Sequence, residues 1–260
     1  MARLELVGHM PTFELVIPCY NEAQRLPGDA LAALVRAGLH VILVDDGSTD
    51  NTPAILAQLA AAHGGAVQVL SLAQNRGKGE AIRQALARPS NASWRGYADA
   101  DFAVPASEIV RLSDVAANSA AAGAVIGARV GLAGRTIERR ASRHYAGRLF
   151  ATAASLTLDA RIYDTQCGCK WFRNNGALQV AVSELFSSAW LFDVELLGRL
   201  RGLYAANPHL VANQIVEEPL LSWRDVAGSK LRPRDFVASP LHLLRIRAAL
   251  QAWRHRTIAP

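Results

Sequence analysis

A chain of 260 residues that is 51% hydrophobic and 19% charged can bury a large core, which excludes a disordered or low-complexity polypeptide and fits one large domain. Its formal charge of +6 comes mostly from arginine, crowded at Arg129, Arg135, Arg139, Arg140, Arg143 and Arg148 and again at Arg245, Arg247, Arg254 and Arg256, and such patches want phosphate on a nucleotide, a nucleic acid or a membrane surface. Three cysteines, Cys19, Cys167 and Cys169, are too few for a disulfide framework and lack partners for a closed zinc site; they are expected as packed thiols. With no apolar run of about 18 residues and no secretory signal, the expected setting is the cytoplasm, at most peripheral to a membrane.

Residues 1–10 read as a vector-derived leader and are set aside. Phe13 to Pro18 is a short β-branched run, followed by the polar turn Cys19-Tyr20-Asn21-Glu22. Pro27 to Ala37 is predicted as a helix, and His40 to Val44 as a second strand whose near-continuous apolar run suits a sheet buried on both faces. That strand ends in Asp45-Asp46-Gly47-Ser48-Thr49-Asp50, where Asp50 or Asn51 can cap a helix carrying Pro53 in its first turn. Ala66 to Leu72 is a third strand; Asn75-Arg76-Gly77-Lys78-Gly79 then opens a helix expected over Glu80 to Ala87. Trp94 to Ala98 and Ala124 to Ala128 are the fourth and fifth strands. Thr136 to Leu158 reads as one amphipathic, arginine-rich helix, and Leu241 to Arg256 has the same character. Phe192 to Glu195 begins a helix, for whose Asp193 capping is the bland alternative.

Strands and helices alternating at these intervals imply right-handed βαβ units and a mostly parallel, Rossmann-like sheet, whose ligands bind beyond the carboxyl ends of the strands. Every polar cluster falls at that end. Asp99 and Asp101 follow the fourth strand with one residue between them, so both can reach a single point, and such a pair suits Mg²⁺ or Mn²⁺ shared with a diphosphate. The bland alternative is a pair of turn aspartates before a helix starting near Ser107. Glu22, Asp45 or Asp46 could accept hydrogen bonds from a base or ribose, and the Gly77-Lys78-Gly79 turn lets backbone and ammonium approach phosphate. No Walker loop and no Gly-x-Gly-x-x-Gly turn is present, which disfavours classical ATPases and dehydrogenases.

Taken together, Pro18-x-Tyr20-Asn21-Glu22, Val44-Asp45-Asp46-Gly47-Ser48-x-Asp50-x-Thr52, Asn75-x-Gly77-Lys78-Gly79-x-Ala81 and Asp99-x-Asp101 resemble the inverting nucleotide-sugar glycosyltransferases of family 2, which have the GT-A fold. Asp164 to Phe172, Phe192 to Glu195, Glu217 to Leu220, Trp223 and Gly228-Ser229-Lys230 extend the likeness to the polyprenyl-phosphate sugar transferases, most closely the dolichyl-phosphate β-glucosyltransferases. Cys169 departs from the expected phenylalanine, and the transmembrane anchor of many relatives is missing. The resemblance implies a metal-dependent, inverting transfer of a hexose, glucose from UDP-glucose, to polyprenyl or dolichyl phosphate at a membrane surface. It places nucleotide-sugar contacts at Pro18, Tyr20, Glu22, Asp45, Asp46, Lys78 and Asp99, the metal at Asp99 and Asp101, and catalysis at Asp99, Asp101 and Asp164, the last as general base if the acceptor were a hydroxyl. Arg129, Arg140 and Arg143 are the candidates for the acceptor phosphate. Residues 11–128 would be the donor half and 129–232 the acceptor half of one domain, with 233–260 a basic helical segment. The rivals are a UDP-sugar transferase acting on a soluble hydroxyl and a basic nucleic-acid-binding protein.

Overall fold

The computed structural model describes residues 10–138, 141–207, 214–226 and 233–258, with backbone alone for 141–149 and 233–238; of the leader expected at 1–10, residues 1–9 lie outside them. In chain order the elements are β1 (Phe13–Cys19), α1 (Gly28–Arg36), β2 (His40–Asp45), α2 (Thr52–His63), β3 (Val67–Ser71), α3 (Lys78–Ala87), β4 (Trp94–Ala98), α4 (Ala106–Asn118) and β5 (Ala122–Ala128). There follow β6 (Thr136–Glu138), α5 (Ala141–Leu158), β7 (Cys169–Arg173), α6 (Gly176–Ala181), α7 (Phe192–Ala206), β8 (Gln214–Pro219), β9 (Ser222–Arg224) and α8 (Pro233–Thr257). Among the described residues seven strands form one sheet in the order β3-β2-β1-β4-β7-β5-β8, and β6 pairs with β9 in a small second sheet. This is the mostly parallel α/β architecture that the alternation of apolar runs predicts.

Side-chain alternation along the strands divides the core in two. Val16, Val44, Tyr97, Ile126 and Phe172 join Phe192, Leu196 and Leu200 of α7 on one face of the sheet. Leu15, Ile17, Leu43, Val125 and Trp171 join Leu31, Leu34, Ile109 and Leu112 of α1 and α4 on the other. Neighbours such as Trp171 and Phe172 therefore serve opposite layers, as a period of two requires.

Two expectations are corrected and one strand is added. The helix expected from Thr136 begins at Ala141: Thr136–Glu138 is extended and pairs in parallel with Ser222–Arg224, because its alternating side chains fit a strand beside β9. Cys169–Arg173 is a strand that runs antiparallel to both neighbours, β4 and β5. Strand β4 stops at Ala98, so Asp99 and Asp101 lie in a turn closed by Phe102 N–H on Asp99 O at 3.1 Å, with Phe102 at φ +49°. The pair stays together through the turn rather than through strand pleating. In α8 the basic residues share the helix with a packed face, since Leu243, Ile246, Leu250 and Trp253 are buried against the α7 layer while Leu241, Leu244, Arg245 and Arg247 face out.

Candidate active site

The loops after β1 and β2 are knitted together by their own polar groups. Asn21, in the left-handed region at φ +51°, donates its N–H to Ser48 Oγ at 3.0 Å and accepts from Thr49 N–H at 2.9 Å, while Glu22 N–H reaches Thr52 Oγ1 at 2.8 Å. Asp45 Oδ1 accepts from Ser48 N–H at 3.0 Å. Asp46 accepts from the backbone N–H groups of Arg76 and Gly77 at 2.9 and 2.8 Å, which braces the glycine-lysine loop against β2. Burial pushes the Asp46 carboxyl above its ordinary range. Glu22 accepts from Arg25 at 2.9 Å. The structure thus brings Pro18, Tyr20, Glu22, Asp45 and Asp46 to one end of the sheet, where the three carboxylates are buried and hold the loop frame.

Beside that frame lies the turn after β4. Asp99 N–H donates to Gly168 O at 3.0 Å, and Lys78 Nζ stands 2.6 Å from Asp99 Oδ1. A Cβ on Gly168 would lie 2.6 Å from Asp99 Cγ, so only glycine lets the carboxylate rest there. Asp101 Oδ1 accepts from Ala103 N–H at 3.0 Å, and burial followed by the charge of Asp99 raises its pKa. Lys78 answers in kind: burial opposes its charge, yet Asp99, Asp193 and Asp101 outweigh it and lift the lysine above its ordinary range. An ammonium paired with Asp99 and within the field of Asp101 marks a place that attracts positive charge. Among the described residues no group of three or more His, Cys, Asp or Glu side chains forms a metal cage. Asp99 and Asp101 would need oxygens from a ligand to complete a shell.

Asp164 sits in a different setting from the one expected of a base. Arg129 donates to it from its backbone N–H at 3.1 Å, from Nε at 2.6 Å and from Nη2 at 2.8 Å. Burial alone would raise the carboxyl, but the Arg129 charge and its hydrogen bonds hold it well below the usual carboxylate range. A carboxylate so stabilised in its charged form is a poor proton acceptor at neutral pH, which weighs against a general-base role for Asp164. The same pairing turns Arg129 inward, 5.4 Å from the Trp223 ring centroid, rather than leaving it open to an acceptor phosphate. Arg140 and the Arg143 side chain lie outside the described residues, as does Gly228-Ser229-Lys230.

Three neighbours escape the sequence reading. Asp193 is no helix cap: its Oδ1 accepts from Lys170 Nζ at 2.8 Å and, very closely, from the Tyr97 hydroxyl. Lys170 is fully buried and also donates to Cys167 O at 2.7 Å. Burial pushes Lys170 down to about 8 and Asp193 up to about 7, the latter against the lowering charge of Lys78. The one signal in the sequence was a lysine between Cys169 and Trp171 in an otherwise apolar run. All three cysteines are buried, and burial lifts Cys167 to about 11, which leaves it an inert thiol.

A family model described as glycosyl transferase family 2 matches residues 14–180. The dolichyl-phosphate beta-glucosyltransferase of Drosophila melanogaster is 33% identical, aligned over 95% of this chain and 79% of that protein. That of Homo sapiens is 32% identical, over 96% of this chain and 81% of that protein. Among solved structures, glucosyl-3-phosphoglycerate synthase of M. tuberculosis has a TM-score of 0.62 at 20% identity, covering 92% of this chain and 80% of that one. A mannosyltransferase of Pyrobaculum calidifontis, in complex with GDP-Man and Mn²⁺, has a TM-score of 0.54 at 16% identity, covering 96% and 76%. With the family model spanning well over half of the chain and the sheet order set out above, the chain belongs to glycosyltransferase family 2 and is built on the GT-A fold.

Proposed function

We propose that the chain transfers glucose from UDP-glucose, with inversion, to the phosphate of a dolichyl or other polyprenyl lipid at a membrane surface. The observation that carries the reading is the Asp99–Asp101 turn with the Lys78 ammonium held against it at the carboxyl end of the sheet. The choice of glucose and of a lipid phosphate rests on the relatives named dolichyl-phosphate beta-glucosyltransferase, at 33% and 32% identity.

In this reading Asp99 and Asp101 hold Mg²⁺ or Mn²⁺ together with diphosphate oxygens, and the donor set suits a hard cation: two adjacent carboxylates, one with its pKa raised partly by the other. When bound, the cation stabilises the charge that grows on the nucleoside diphosphate as its bond to the anomeric carbon breaks. Lys78 exchanges its contact with Asp99 for the diphosphate and adds a second positive charge there. Loops braced by Asp45, Asp46 and Glu22 form the wall on which the nucleoside rests. An oxygen of the acceptor phosphate attacks the anomeric carbon from the face opposite the leaving diphosphate. That oxygen is already anionic near pH 7, so no strong base is required. The pairing of Asp164 with Arg129 occupies the carboxylate that a hydroxyl acceptor would need as its base, and it equally occupies the arginine expected at the acceptor phosphate.

Purified protein would be incubated with radiolabelled UDP-glucose, Mn²⁺ and dolichyl phosphate, and the label extracted into organic solvent. Transfer that needs metal and falls at least a hundredfold in Asp99→Ala/Asp101→Ala supports the reading. Transfer of label only to soluble hydroxyl acceptors would replace it.

A further inference from the structure

Asp99 follows the last ladder pair between β4 and β7, Ala98 opposite Cys169, so neither strand fixes its carboxylate. What fixes it is the Cys167–Gly168 segment of the facing loop. Gly168 O takes the Asp99 N–H at 3.0 Å, and the bare Cα of Gly168 supplies the surface on which the carboxylate lies. That segment is itself a loop end outside the sheet, and a loop end needs its own restraint to hold a neighbour in place.

The restraint comes from below. Lys170 is on β7 directly opposite Tyr97 in register, with its side chain wholly buried. Its Nζ reaches back three residues to Cys167 O at 2.7 Å and across to Asp193 Oδ1 at 2.8 Å, and it lies 5.2 Å from the Tyr97 ring centroid. Asp193, at the start of α7, also receives the Tyr97 hydroxyl. One carboxylate thereby joins β4, β7 and α7, and the ammonium carries that junction to the carbonyl beside Gly168. An apolar side chain of similar size would fill the same volume without desolvating two charges, but it would give the Cys167 carbonyl no donor. The charge pair contributes direction where packing would contribute only volume.

We infer that Lys170 is a positioning residue: its buried ammonium, shared between Asp193 and the Cys167 carbonyl, holds Gly168 against Asp99 and so sets the carboxylate in place for a nucleoside diphosphate and its cation. The inference rests on the proposed role of Asp99 and adds the residue through which that role is maintained. Supporting side chains of this kind are typically worth roughly 10–100-fold in metal affinity.

The test is a binding cycle read by titration calorimetry with UDP and Mn²⁺, beside thermal melts of each protein. Its members are wild type, Lys170→Met, Asp99→Asn and the double variant Lys170→Met/Asp99→Asn. A further variant, Lys170→Met/Asp193→Asn, removes both buried charges while keeping an acceptor for Tyr97, and covers the case in which Lys170→Met alone fails to fold. The expected result is a loss of roughly tenfold or more in Mn²⁺–UDP affinity for Lys170→Met and for the charge-free pair, with no further loss when Lys170→Met is added to Asp99→Asn. A folded Lys170→Met/Asp193→Asn protein that binds as wild type does overturns the inference, and so does an equal penalty for Lys170→Met in both Asp99 backgrounds. Equal binding by wild type and Asp99→Asn overturns the nucleotide reading itself, and this inference with it.

Discussion

At Gly168 a missing methyl decides where a carboxylate can lie. The Cβ of an alanine there would stand 2.6 Å from Asp99 Cγ, well inside van der Waals contact, while the glycine carbonyl still holds the Asp99 N–H. Gly168→Ala is therefore expected to displace the Asp99 side chain and weaken Mn²⁺–UDP binding about tenfold or more, with a small change in melting temperature; titration calorimetry and a thermal melt check both. Asp164 offers a prediction with a pH sign. Its pKa in the folded chain lies well below the ordinary 3.8 of an unfolded aspartate, so the stability it contributes is fully present above about pH 5 and is lost as acid reaches the folded carboxyl. Asp164→Asn, which leaves Arg129 without its charge partner, should cost about 3 kcal/mol at pH 7. The gap between the urea midpoints of the two proteins should stay constant from pH 7 to about 5 and narrow below about 4. A gap unchanged into strong acid would show that the charge of Asp164 contributes nothing. The sequence exposed Asp99 and Asp101 because they end an apolar run. It hid the Lys170–Asp193 pair, whose members are 23 residues apart and meet only once β7 and α7 have packed. A motif reading sees each charge alone; burial and pairing are properties of the assembled layers.

Strands β1 to β4 were legible because each is a short apolar run followed by polar turn residues, which is how a parallel strand buried on both faces looks in sequence. The direction of β7 was not, since an apolar run carries no sign. Reversed between β4 and β5, β7 delivers its first residues, Cys169 and the preceding Gly168, to the carboxyl end of β4. A parallel strand at that position would have carried them to the other end. Helix α8 was read as a basic, surface-seeking segment, and the element is more divided than that. Leu250 approaches Gly198 of α7 so closely that a Cβ there would lie 2.5 Å from Leu250 Cδ1, and Trp253 is buried beside it. Leu250→Ala should lower unfolding free energy by about 2–5 kcal/mol, the usual cost of emptying a well-packed leucine site. Chemical denaturation measures that loss. Mn²⁺–UDP affinity should be unchanged, because the contact lies along α7 beyond the turn that carries Asp193. Equal losses in both measurements would mean that α8 supports the crevice directly.

On the scale of the molecule, the donor and acceptor halves expected at 11–128 and 129–232 interleave, because β7 lies between β4 and β5 and β8 closes the edge beside β5. The Asp99 turn and the Gly168 loop on which it rests come from different halves. The chain must also meet a lipid-borne acceptor if the proposed function holds. No helix among the described residues is long and apolar enough to cross a membrane. The net charge of +6 and the outward set Leu241, Leu244, Arg245 and Arg247 on α8 suit an anionic bilayer, with apolar side chains entering the interface and guanidinium groups at the headgroups. Each basic residue near such a surface contributes about 1 kcal/mol, so Arg245→Gln/Arg247→Gln should lower partitioning onto phosphatidylserine vesicles by about 2 kcal/mol, roughly thirtyfold. Wild-type binding should weaken as salt rises, because the attraction is screened over a Debye length of about 10 Å at 0.1 M. Vesicle sedimentation across a salt series measures both effects. Equal, salt-independent partitioning of the two proteins would remove α8 from the membrane-facing surface and leave its outer arginines as solvated charge.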